Sequence, residues 1–167
     1  VKIYHTDIHS PIGTLSLFSS EQGLKKVCWD TDFSEAPFAK WFPGYSEIIW
    51  HTTHPILERA SSQLETYFKK ELTRFAIAFD LDGTSFQQEV WKSLQKIPYG
   101  HTISYQQLAI SVDRPNAVRA VGNATGQNPL PIIIPCHRVI LKNGNIGGYS
   151  SGIQIKDWLL AHEGIIL

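Results

Sequence analysis

The hydrophobic period of this chain changes once, at Asp80-Leu81-Asp82-Gly83-Thr84. Before that point, short runs rich in β-branched and aromatic residues alternate with turn residues. After it, apolar residues recur at helical spacing behind capping signals. A chain that switches period in this way is expected to be α+β. Residues 1–82 would form a small N-terminal α/β domain with an antiparallel sheet, and residues 83–167 a mainly α-helical domain.

In the first half, Lys2 to Ile8, Thr14 to Ser19 and Leu24 to Asp30 read as strands of a meander. Pro11-Ile12-Gly13 and Glu21-Gln22-Gly23 punctuate them. Asp32 to Trp50 reads as irregular and aromatic. Leu57, Ala60, Leu64, Tyr67 and Phe68 make one stripe of a helix starting at Pro55, and Phe75 to Phe79 reads as a further strand.

In the second half, Ser85 with Gln88 reads as a capping box, and Ser104 with Gln107 repeats the device. After a break at Asp113-Arg114-Pro115, Asn116 is expected to cap a helix with the stripe Ala117, Ala120, Val121 and Ala124. Two short helices across a turn of about four residues fit a helix-turn-helix. Ile155 to Glu163 reads as a last helix, with Gly164 past its end.

The 167 residues carry no net charge, which taken alone argues against a nucleic-acid partner. The halves differ, however. Residues 1–83 hold 8 Lys/Arg against 11 Asp/Glu, and residues 84–167 hold 7 against 4. An anionic partner would meet the second half. No apolar run approaches the roughly 20 residues of a membrane helix, and Val1 to His5 lacks a secretory apolar stretch. With only Cys28 and Cys136 available for pairing, a reducing, cytoplasmic setting is expected, or a nuclear one in a eukaryote. No spacing among Cys28, His5, His51 and His54 matches a closed zinc site, so no metal is expected.

Two features carry candidate chemistry. Arg119 projects away from Ala117 and Ala124 on a helix whose stripe of small residues, with Gly122 inside it, permits close approach to a groove. It reads either as a solvated surface arginine or as a side chain that enters a DNA stack. In Ile132-Ile133-Ile134-Pro135-Cys136-His137-Arg138-Val139-Ile140, one thiol lies between two apolar runs. Such a cysteine is commonly an inert core residue. His137 can accept its proton and so make it a nucleophile. Neighbours in a strand point to opposite faces, so the pair cooperates only where the chain turns.

Pro135-Cys136-His137-Arg138-Val139-Ile140 resembles the active-site signature of the O6-alkylguanine-DNA alkyltransferases. Five further stretches match that family in order and spacing: Ser104 to Ala109, Arg119 to Gly122, Gln127 to Pro129, Gly148-Tyr149-Ser150, and Trp158 to Gly164. Ser10 to Leu15 is also similar, though less diagnostic. The resemblance implies a winged-helix-like C-terminal domain that binds double-stranded DNA carrying O6-alkylguanine, with O4-alkylthymine as a further substrate. It implies a methylated-DNA–protein-cysteine methyltransferase that acts once, as a monomer, with no cofactor; cooperative loading on DNA stays open. Cys136 would accept the alkyl group. His137 would be the base through a bridging water, Glu163 would hold the imidazole, and Asn128 would brace the turn. Tyr105 would crowd the phosphate and give a proton to the departing guanine. Arg119 would fill the vacated stack, with Ala117, Ala120, Gly122 and Asn123 against the DNA. Pro131, Val139, Tyr149, Ser150 and Ser151 would line the base pocket. Ser151 stands where many relatives have glycine, which leaves open the room for bulky alkyl groups.

Other readings weigh less. Non-catalytic alkyltransferase-like binders lack the acceptor cysteine that is present here. A helix-turn-helix regulator would carry a further domain, and a cysteine hydrolase would need an oxyanion hole that the sequence does not reveal.

Overall fold

The computed structural model describes residues 1–33 and 37–167, in two compact units, Val1–Asp82 and Gly83–Leu167. In the first unit, β1 (Lys2–Ser10), β2 (Gly13–Ser19) and β3 (Leu24–Trp29) form the antiparallel meander. Short helices α1 (Asp30–Phe33) and α2 (Phe38–Trp41) lead into β4 (Glu47–Ile49). This last strand lies within the stretch expected to be irregular, and it pairs parallel to β1, giving the sheet order β3-β2-β1-β4. Only three residues long, β4 offers too little alternation to be read from sequence.

Period-two alternation divides the buried residues between the two faces of the sheet. Ile3, Phe18, Cys28 and Phe42 form a core on one face. Leu15, Leu17 and Val27 are buried on the other, where α3 (Pro55–Phe68) packs through Leu57, Ala60, Leu64 and Tyr67. Pro55 stands at the first turn of α3, where its missing N–H has no cost.

Phe75 to Phe79 is not a strand. It contributes one parallel bridge, Leu24 to Phe79, in which Leu24 N donates to Ala78 O (2.8 Å) and Asp80 N to Leu24 O (3.0 Å). The segment passes so close to the β2–β3 turn that only glycine fits at position 23. A Cβ there would lie 2.6 Å from the Asp80 nitrogen and closer still to the Phe79 carbonyl carbon. Lys25 fastens the same segment through Asp82 (3.0 Å) and the Asp80 carbonyl (3.0 Å).

The second unit is built on α4 (Ser85–Leu94), α5 (Tyr105–Ser111), α6 (Val118–Gly126) and α7 (Ile153–His162). A two-residue parallel pair, β5 (Ile103–Ser104) with β6 (Val139–Ile140), brings the start of α5 beside the segment that follows Cys136. The capping box of α5 is Ser104 with Gln107, as its spacing indicates. That of α4 is Thr84 with Gln87, one residue earlier than the Ser85–Gln88 pair. Both pairs satisfy the same pattern, and Thr84 is the one with extended backbone. Asn116 caps nothing: α6 starts after Ala117, with no side-chain cap. The turn between α5 and α6 spans residues 112–117. No helix among the described residues is long and apolar enough to cross a membrane.

Gly23→Ala is expected to destabilise the first unit by about 2 kcal/mol, since the new methyl meets backbone rather than a flexible side chain. Urea unfolding of the wild type and the variant checks this; an unchanged midpoint would refute the close approach.

Candidate active site

The segment from Asn128 to Arg138 is a sequence of tight turns rather than a strand. The Asn128 side chain fastens both ends of its first loop: Oδ1 accepts from Leu130 N (2.9 Å), and Nδ2 donates to Ile134 O (2.7 Å). Between them Ile132 adopts φ +75°. For a β-branched residue this is a strained conformation, costing about 1–3 kcal/mol, that persists only where its surroundings impose it. Pro135 follows at φ −81°, ψ 64°, the geometry of an inverse γ-turn, with Cys136 N donating to Ile134 O (2.8 Å). Cys136–Arg138 then forms one 3-10 turn. The chain therefore turns at Cys136, as cooperation between the thiol and His137 requires.

His137 is completely buried, and its Nε2 is hydrogen-bonded to Glu163 Oε2. The other carboxylate oxygen accepts from Arg138 Nε (2.7 Å) and Gly100 N (3.2 Å), while Arg138 also donates to Ile97 O (2.7 Å). Burial alone would raise the Glu163 pKa, but the hydrogen bonds and charges of His137 and Arg138 prevail and hold it at about 2. Burial lowers the His137 pKa, and Glu163 only partly offsets that, so the imidazole is neutral at neutral pH. A neutral ring facing a carboxylate through Nε2 carries its hydrogen there. Nδ1 is then left as a lone-pair acceptor, buried and without a hydrogen-bond partner among the described residues.

Cys136 is 7% exposed, with Sγ 3.9 Å from the Tyr149 hydroxyl. Burial pushes its pKa up, against hydrogen bonds from Asn128 and Tyr149 and the charge of Lys156. At Cys28, burial outweighs the charge of Lys26, carboxylates add to the rise, and the pKa is pushed up to about 12, with no hydrogen bond among the described residues to favour the thiolate, so the two thiols differ in kind. Lys156 on α7 is fully buried and donates to the carbonyls of Val139 (2.7 Å), Ile146 (2.6 Å) and Gly148 (3.1 Å). Burial brings its pKa down to about 8.

A cavity of about 210 Å³ opens over the thiol, walled by Tyr105, Asn128, Pro131, Cys136, Tyr149 and Ser151. That is below the roughly 300–1,000 Å³ of drug-sized ligand sites, and it suits one flat ring system. Ser150 also lines the cavity, with its hydroxyl donating to Gly126 O (2.7 Å). Val139 does not: it is wholly buried in β6, and its carbonyl is taken by Lys156. Gly122 lies against the Tyr105 ring, where a Cβ would sit 3.8 Å away.

On α6, Arg119, Ala120 and Asn123 are exposed and Ala117 is half-buried. Ala120 is thus not part of the core stripe, which consists of Val121, Ala124 and Thr125. Sequence reasoning also assigned nothing to Arg138 or Lys156. Their signal was a cation within an otherwise apolar stretch, Arg138 after Ile132 to Ile134 and Lys156 at helical spacing from Leu159 and Leu160.

A paired helical unit with a buried thiol–imidazole–carboxylate set beneath a base-sized cavity is the kind of protein these features define. The family model described as 6-O-methylguanine DNA methyltransferase, DNA binding domain, matches residues 85–165; the ribonuclease-like domain of the same methyltransferase matches residues 3–81. The chain is 42% identical to the methylated-DNA–protein-cysteine methyltransferase of Methanosarcina barkeri, over 96% of this chain and 97% of that one. With the Shigella flexneri protein of the same name, the identity is 40% over 100% and 99%. The crystal structure of Mycobacterium tuberculosis O6-methylguanine methyltransferase superposes with a TM-score of 0.80 at 40% identity, covering 96% of this chain and 92% of that one. The same organism's OGT in complex with DNA gives 0.79 at 40%, covering 98% and 92%. The chain belongs to the 6-O-methylguanine DNA methyltransferase family.

The depressed Glu163 pKa links the second unit's stability to acid. Its folded value, about 2, lies below the ordinary 4.5. The stabilisation is therefore present above pH 4.5 and is lost as pH falls toward 2. Glu163→Gln is expected to be less stable than wild type at pH 7, with the difference narrowing below pH 4.5. Denaturant unfolding across that range checks it, and a difference independent of pH would show that the carboxylate charge is irrelevant.

Proposed function

We propose that this protein repairs DNA by direct reversal, moving the alkyl group of O6-alkylguanine irreversibly onto Cys136 Sγ. The observation that carries the reading is His137 Nδ1, a buried nitrogen without a hydrogen-bond partner among the described residues, on the residue that follows a thiol walling a base-sized cavity.

The alkyl carbon is on a base inside a duplex, so the nucleotide must be flipped out at a cost of a few kcal/mol. Arg119, exposed on α6, takes the vacated place in the stack. The small, exposed face around Ala120 and Asn123 lets the helix lie close in the minor groove. Tyr105, at the mouth of the cavity, crowds the backbone phosphate and favours the extruded state.

The thiol proton passes to His137 Nδ1, directly or through a water, and Glu163 stabilises the imidazolium that forms. Sγ attacks the alkyl carbon in line, the S–C bond forms, and the C–O6 bond breaks. Guanine leaves as an anion and takes a proton from the Tyr105 hydroxyl. Burial, and then the nearby Cys136 charge, raise the pKa of that phenol and keep it protonated until then. His137 restores the Tyr105 proton through solvent. The thioether product is not hydrolysed by water, so each molecule acts once. One chain supplies every side chain used, so the protein acts as a monomer. Cys136 in the cavity wall argues against a purely binding role.

Intact-mass measurement after mixing with duplex DNA containing O6-methylguanine is expected to show the gain of one methyl group per molecule. Cys136→Ala should bind the same DNA without gaining mass. Repaired DNA alongside an unshifted protein mass would overturn the mechanism. Arg119→Ala is expected to slow transfer from duplex DNA at least tenfold more than transfer from the free modified base, a rate ratio equivalent to about 1.4 kcal/mol; equal losses on both would remove Arg119 from the stack-filling role.

A further inference from the structure

The first unit carries a second cluster of metal-ligating side chains, remote in sequence from the alkyl-transfer machinery. His5 and Asp7 are two residues apart on β1, so they project from the same face of the sheet. The parallel register Tyr4 to Ile49 carries the chain leaving β4 alongside them, and Thr52 N donates to His5 O at 3.0 Å. At His51 the backbone turns through φ +48°, and the ring comes back over Asp7, with Nδ1 3.8 Å from Oδ2. One ligand atom from each of His5, Asp7 and His51 lies within 4.8 Å of the other two.

We propose that His5, Asp7 and His51 bind one divalent transition-metal ion of the zinc type. Two imidazoles and one carboxylate suit a borderline cation such as Zn2+ rather than Mg2+ or Ca2+, which prefer oxygen donors throughout. Zinc–ligand bonds of about 2.0–2.2 Å bring tetrahedral ligand atoms roughly 3.5 Å apart. His51 is exposed and must swing inward by ~1 Å to reach that spacing; the other two ligands are already fixed. Ser16, the cross-strand partner of Asp7, donates to Oδ1 at 2.6 Å and orients the carboxylate, the support that metal ligands ordinarily receive. His5 is held against Phe18 and Trp50, with ring centroids 4.9 and 4.7 Å away.

In the metal-free state His5 Nε2 meets Asp7 Oδ1 at 3.0 Å, and the His51 amide reaches His5 Nδ1 only at 3.5 Å. Metal at Nε2 replaces the first contact and gives up the second, which is already at the limit of a hydrogen bond. Three protein ligands leave a fourth position for water. The bound ion joins β1 to the turn after β4, so it stabilises the first unit by mass action.

The test uses the whole chain, stripped with chelator and titrated with Zn2+ by calorimetry and with Co2+ by absorption. One equivalent is expected, with Co2+ d–d bands and no thiolate charge-transfer band. His51→Ala, an exposed change that leaves the core untouched, and Asp7→Asn should each weaken binding at least ~10-fold. Methyl transfer to Cys136 should proceed unchanged in His51→Ala. A thiolate band would assign the ion to Cys28 or Cys136 instead, and affinity unaltered in His51→Ala, or no saturable binding, would leave His5–Asp7 as a simple polar pair.

Discussion

The carboxylate of Glu163 is the point on which the second unit's chemistry turns. Its two oxygens receive His137 and Arg138, both withdrawn from water, and the half-buried amide of Gly100. An anion at the C-terminal end of α7 is disfavoured by the helix dipole, and burial adds a larger penalty. Only the full set of donors makes the position tolerable. Because the guanidinium neutralises the carboxylate whatever the state of His137, the imidazole is free to stay neutral and basic. A carboxylate paired with His137 alone would raise the imidazole pKa further, and a ring already protonated at neutral pH has no lone pair left to take a thiol proton.

The same set explains how segments distant in sequence are held in register. Arg138 reaches back to Ile97 O, Glu163 to Gly100, and Lys156 fastens β6 to the residue 146–148 loop. That loop includes Gly148, at the rim of the cavity. These side chains hold the distant segments together, while Asn128 secures the strained turn through Leu130 N and Ile134 O. Replacing one donor leaves a charge buried without a partner, which is far more damaging than exchanging the whole set for apolar groups.

How much of this was legible in the sequence depended on the range of the interaction. Local signals held: the meander of residues 2–29, the stripe from Leu57 to Tyr67, and the Ser104–Gln107 box. Where two local patterns overlapped, as at Thr84 and Ser85, backbone conformation chose between them, and no count of residue types reveals that. The strand expected at Phe75 to Phe79 failed because its neighbour is a turn, leaving room for a single bridge instead of a ladder. In the site, the blocks around Cys136 singled out most of the cavity wall. Val139 was misplaced because a two-residue strand turns it inward, and Arg138 and Lys156 were missed because their partners are backbone carbonyls and a carboxylate far along the chain.

The two cysteines show why burial alone does not identify a nucleophile. Both are nearly inaccessible, at 6% and 7% exposure. Cys28 lies among Ile3, Phe18 and Phe42, where burial outweighs the charge of Lys26 and nearby carboxylates oppose a thiolate further. Cys136 is desolvated too, yet Asn128, Tyr149 and Lys156 all favour its charged form, and an unoccupied imidazole lone pair is in the same turn. Desolvation then works in two directions. It keeps the thiol protonated, and so protected, in the free protein; once a base fills the cavity, it strengthens every one of those favourable interactions as the proton leaves. Reactivity in such a site is a property of the assembled pocket, and the thiol acquires it only when the substrate completes the wall.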